Sequence, residues 1–84
     1  MLINRNIVVG NHRTSIRLEP EFWNALAEIA KREGQSVHHL CTEIDRAAQD
    51  VSRTAAVRVF VVAYLAKVAQ FAMEQPHLVA VAGA

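Results

Sequence analysis

Arg13, Ser15 and Arg17 stand two residues apart in the run "HRTSIRL", residues 12–18. A guanidinium is a planar fork of N–H donors that keeps its charge at any ordinary pH. It grips acceptors in pairs, such as a carboxylate, a phosphate or the major-groove edge of guanine. A serine hydroxyl both donates and accepts, so it tolerates several partners. In a strand, side chains alternate between faces, which puts these three together and sends Thr14, Ile16 and Leu18 to the other side. One face is thus chemically equipped for recognition while the other can pack. The charge distribution agrees: residues 1–17 hold Arg5, Arg13 and Arg17 and no acid, while residues 18–50 are rich in acids. The net charge of +1 hides that local concentration.

Other chemistries find less support. His38, His39 and Cys41, with His12 more distant, invite a metal reading, and His38 and Cys41 could share a helix face. A structural zinc site needs four ligands at recognisable spacing, which the chain lacks, and Cys41 falls on an apolar stripe. No Gly-x-Ser-x-Gly elbow, phosphate loop or pair of carboxylates in an apolar setting occurs. We therefore expect no enzyme, no metal and no cofactor. A single cysteine excludes an intrachain disulfide and suits a reducing compartment. The opening "MLINRNIVVGNHR" lacks the apolar core of a secretory signal, so the expected location is cytoplasmic.

The elements that must hold the three residues follow from local signals. Pro20 suits the first turn of a helix, with Glu19 and Glu21 at its positive end. Phe22, Leu26, Ile29 and Ala30 repeat at helical spacing, with Trp23 flanking. Lys31, Arg32 and Gly34 mark the end, giving a helix over 20–33. Ser36 is a good N-cap for a second helix over 36–50, whose stripe is Val37, Leu40, Cys41, Ile44, Ala48 and Val51. A third helix starts near Ser52 or Thr54 and is ended by Pro76. Residues 1–11 read either as an extended arm or, through Gly10-Asn11, as the first strand of a hairpin with residues 12–18.

A strand of seven residues cannot form a sheet alone. With the arm unassigned, the expected fold is mainly α with one β-strand, whose partner is the same strand of a second copy. The order strand, helix, glycine, Ser-capped helix resembles the ribbon-helix-helix transcription regulators over residues 12 to about 50. The "HRTSIRLEPEFW" opening is similar to a bacterial subgroup with an additional C-terminal helix. The resemblance implies a homodimer in which an intersubunit antiparallel ribbon enters the major groove of double-stranded DNA. Carried over by alternation, the base-contacting residues would be Arg13, Ser15 and Arg17. Backbone N–H groups at Ser36 and Val37 would hold phosphate, and Arg5 could add a contact from the arm. Some members bury a charged triad; an ungapped comparison puts Gln35, Leu40 and Ile44 there, and an apolar replacement of such a triad still folds and binds DNA.

The implied organisation is an arm at 1–11, a ribbon-helix-helix domain at 12–51, an apolar helix at 52–75 and a tail at 76–84. Ile16, Leu18, Phe22, Trp23, Leu26, Leu40 and Ile44 would form the dimer core. The chain is 52% hydrophobic, which for 84 residues leaves apolar surface for a subunit interface. The third helix is apolar nearly all round and so is expected to be buried as extra core and interface. Arg58 and Lys67 interrupt it and argue against membrane insertion. The resulting reading is a DNA-binding repressor. Two alternatives stay open: an antitoxin-type module that binds a protein through residues 55–74, and a pure oligomerisation or adaptor module.

Overall fold

A computed structural model describes residues 1–48 and 51–74. Its order is β1 (Ile3–Val9), β2 (His12–Leu18), α1 (Pro20–Arg32), α2 (Val37–Ala47) and α3 (Arg53–Glu74). The tail at 76–84 lies outside the described residues.

The ribbon is built within one chain. β1 pairs antiparallel with β2 from Ile3↔Leu18 to Val9↔His12, so the expectation of one strand and an intersubunit ribbon is corrected to a hairpin. The open choice for residues 1–11 thereby falls to the strand. The connection is the two residues Gly10 and Asn11, and Gly10 sits at φ 61°. A positive φ at the first central residue is what both tight hairpin turns require, and glycine adopts it without steric penalty. The alternation that β1 shares with β2 then does the rest: Ile7 and Val9 face inward with Ile16 and Leu18, and all four are buried.

Contacts from the helices hold β1 in place. The Val8 N–H donates to His38 Nδ1 at 3.0 Å, and the Gly10 N–H donates to Thr42 Oγ1 at 3.0 Å. These α2 side chains occupy two backbone donors on the edge of β1 that would otherwise be open to another strand. From α1, the indole N–H of Trp23 donates to the Ile3 carbonyl at 2.8 Å.

Both short helices end as their residues dictate. The Gly34 N–H bonds the Lys31 carbonyl and the Gln35 N–H bonds that of Ala30, a Schellman closure around Gly34 at φ 67°. Ser36 Oγ caps α2 by accepting from the His39 N–H at 3.0 Å. The apolar stripe on α2 stops short of expectation: helix ends at Ala47, and Val51 is exposed. Ser52 caps α3 through the Ala55 N–H.

The residues expected in a dimer core are largely buried inside the single chain. Ile16, Leu18, Trp23, Leu26, Leu40 and Ile44 belong to one cluster with Val57 and Val61 of α3, and Phe22 is half-buried against it. On α1 the roles of the two aromatic residues are exchanged, because Trp23 lies beneath β1. Gln35 Oε1 is buried without a hydrogen-bond partner among the described residues.

The third helix departs most from expectation. Among its described side chains only Ala56, Val57 and Val61 are buried; Val59, Val62, Leu65, Phe71 and Met73 are exposed. Two ion pairs tie its first turns to the body. Arg53 bonds Asp45 at 2.9 Å and Thr14 Oγ1 at 3.1 Å, and Arg58 bonds Glu19 at 3.0 Å. Helix α3 is thus extra core in its first half and largely exposed in its second.

Candidate nucleic-acid interface

The hairpin has a packed face and an open one. On the open face β2 contributes Arg13, Ser15 and Arg17, and the register places Val8, Asn6 and Asn4 directly opposite them. All six residues are exposed. Ser15 Oγ donates to Asn6 Oδ1 at 2.8 Å across the strands, which fixes both side chains on that face. Among the described residues neither Arg13 nor Arg17 takes part in an ion pair. Their donors are therefore available to an incoming acceptor. A shallow concavity of about 260 Å³ lies at this surface, lined by Asn6, Arg13, Thr14 and Ser15.

The arrangement offers guanidinium forks, side-chain amides, a hydroxyl and one aliphatic residue on a two-stranded ribbon. Arginine pairs with guanine, asparagine with adenine, and an aliphatic group contacts the thymine methyl. The ribbon has the dimensions that the major groove of B-DNA admits. Asn4, Asn6 and Val8 escaped the reading of the sequence. Their signal was the alternation of "INRNIVV", which matches that of β2 once the two runs are paired.

The remaining expected residues sit elsewhere. Ser36 and Val37 open α2, and the next residue, His38, touches Val8; the helix N-terminus thus stands beside β1. The N–H groups of a first helical turn have no intrahelical acceptors and favour anions. Arg5 lies on the packed side, opposite Ile16, with its guanidinium 5.3 Å above the Trp23 ring. It does not share the face of Arg13 and Arg17.

No group of three metal-ligating side chains occurs among the described residues. His38 Nδ1 already accepts the Val8 N–H, and His39 pairs with Glu43 at 2.7 Å. Burial pushes the Cys41 thiol up to about 11, which keeps it protonated at neutral pH. A larger groove, about 490 Å³, lies between α2 and α3 and is lined by aliphatic and aromatic residues that include Ile44, Val59 and Phe60.

Comparison with known families agrees with this geometry. A family model described as "Ribbon-helix-helix domain" matches residues 2–65, which takes in the whole hairpin, both short helices and the first half of α3. No curated protein and no solved structure matches the chain. The chain belongs to the ribbon-helix-helix family, of the Arc/MetJ type. Domains of this family are typically non-enzymatic modules of DNA-binding regulators or antitoxins, and they generally dimerise.

Proposed function

We propose that this protein is a sequence-specific DNA-binding transcription regulator, a repressor, which acts in the cytoplasm as a homodimer. The open face of the hairpin enters the major groove. Arg13 and Arg17 read guanine edges, Ser15 and Asn6 act as a coupled pair on a neighbouring base, and Asn4 extends the surface. The start of α2, at Ser36 and Val37, binds phosphate and sets the register. Arg5 stiffens the β1–α1 contact from the other side. One observation carries the reading: two arginines without ion-pair partners among the described residues share an exposed ribbon face with asparagine and serine, while Arg53 and Arg58 of the same chain are engaged by acids. Because each chain supplies a complete ribbon, each copy in a dimer presents one full recognition element.

The test is a selection of duplexes from a randomised pool, followed by fluorescence anisotropy over a salt series. The wild type should prefer the selected duplex over an unrelated one, with affinity falling steeply as salt rises. The Arg13→Ala/Arg17→Ala variant, checked for unchanged folding by circular dichroism, should lose that preference. A pool that yields no enriched sequence, or a variant that keeps the preference, would refute the reading.

A further inference from the structure

Val8 is the one residue on the open face of the hairpin whose side chain cannot hydrogen-bond; its companions there are Asn4, Asn6, Arg13, Ser15 and Arg17. Its neighbours in the chain, Ile7 and Val9, face the core, while Val8 is 42% exposed and outside the core cluster. A single exposed aliphatic residue is common on any protein surface. What sets Val8 apart is its place. Its N–H donates to His38 Nδ1 at 3.0 Å, away from β2, so Val8 and its partner Arg13 form a non-hydrogen-bonded pair of the ladder. In such a pair the Cα atoms are about 4.5 Å apart and the side chains stand closest. An aliphatic group and a guanidinium thus project side by side near the turn of the ribbon.

We propose that Val8 reads the C5 methyl group of a pyrimidine next to the guanine that Arg13 binds. This rests on the DNA-reading hairpin proposed above and names one chemical feature of its target. Successive bases of a strand are about 3.4 Å apart along the duplex. With Arg13 forked onto N7 and O6 of a guanine, a group set about 4.5 Å to its side reaches the adjacent base pair. Val8 can offer that base pair apolar contact alone.

Among the groups on base edges in the major groove, the C5 methyl is the apolar one. Donors and acceptors on the other edges would lose water against Val8 and gain no partner. The next pair along the face does not compete for this base, because Ser15 and Asn6 are bonded to each other at 2.8 Å. The His38 bond holds the Val8 backbone, so the side chain is presented from a fixed position. Thymine always carries the methyl group, and cytosine acquires it by enzymatic methylation. Either base supplies the contact.

Anisotropy of the full chain with the duplex enriched from the randomised pool tests this. The guanine read by Arg13 is the one whose replacement weakens the wild type but not Arg13→Ala. At the pyrimidine beside it, thymine, deoxyuridine, cytosine and 5-methylcytosine are compared. The wild type should favour thymine over deoxyuridine and 5-methylcytosine over cytosine, each about fourfold, the effect of one methyl-sized group removed from water. Preference within one of these pairs alone supports the contact and names the base that supplies it. Val8→Ala should bind equally within both pairs yet still prefer the enriched duplex to an unrelated one. Val8→Ile, which keeps the β-branch, should retain the methyl preference. Equal binding by the wild type within both pairs, no pyrimidine beside that guanine, or a Val8→Ala protein that keeps the methyl preference would overturn the contact and leave the DNA-reading hairpin standing. A pool that yields no enriched sequence would overturn both.

Discussion

Replacing Trp23 by phenylalanine isolates what holds the recognition ribbon to the helices. The indole donates to the Ile3 carbonyl at 2.8 Å, lies under the Arg5 guanidinium at 5.3 Å and is only 6% exposed. Phenylalanine keeps an aromatic ring at the site but cannot donate. The lost hydrogen bond costs about 1 kcal/mol. A weaker cation–π contact costs about 0.5 kcal/mol more, and the space left by the smaller ring about 1 kcal/mol. Together these reach about 2–3 kcal/mol, or a fall in Tm of roughly 10–20 °C for a chain of this size. The assay is thermal unfolding followed by circular dichroism at one fixed protein concentration. Amide exchange provides the spatial test, because the loosening should concentrate in β1 and spare α2. A Tm within roughly 2 °C of wild type, or faster exchange spread evenly over the chain, would refute the idea that Trp23 anchors the hairpin.

Three further outcomes follow from particular residues. Gly10→Ala places a Cβ in the left-handed region where nothing lies within 4 Å, so only backbone strain is added, about 1 kcal/mol; Gly10→Asn should cost less in the same thermal assay. The Glu19 carboxyl is held below its ordinary 4.5 by a hydrogen bond from its own backbone N–H and then by Arg58. A lowered folded-state pKa means a contribution present above the ordinary value and lost as pH falls through the lowered one. Urea midpoints should therefore drop as pH falls below about 4.5, and more gently in an Arg58→Met variant. With its thiol near 11, Cys41 should react with a disulfide reagent at pH 8 roughly 100-fold more slowly than a free cysteine, and at the free rate once urea unfolds the chain.

What the sequence made legible is what local chemistry specifies. The β2 alternation, Pro20 at the start of α1, Gly34 at its end and the Ser36 cap each act within a few residues, and each stands where its spacing put it. Of the candidate site, Arg13, Ser15 and Arg17 were readable from the same alternation, and they share an exposed face. The β1 half was not, because its status depends on partners far along the chain. His38, Thr42 and Trp23 lie 20 to 32 residues from the backbone groups they bind. The face of Arg5 was hidden for a related reason: the pairing of β1 with β2 sets it opposite Ile16, with its guanidinium over Trp23. The exposure of α3 was illegible for a matter of size. A helix of 22 residues spans about 33 Å, and a body built from two short strands and two short helices covers only its first half.

The central claim is that the open hairpin face reads the major groove. Its most direct test is an NMR titration of ¹⁵N-labelled protein with a selected duplex, following backbone amides and arginine Nε–H signals. The account predicts the largest shifts at Asn4, Asn6, Arg13, Ser15 and Arg17, with smaller ones at Val37 and none along residues 62–73. Shifts confined to α3, with the Arg13 and Arg17 signals unmoved at saturation, would contradict it.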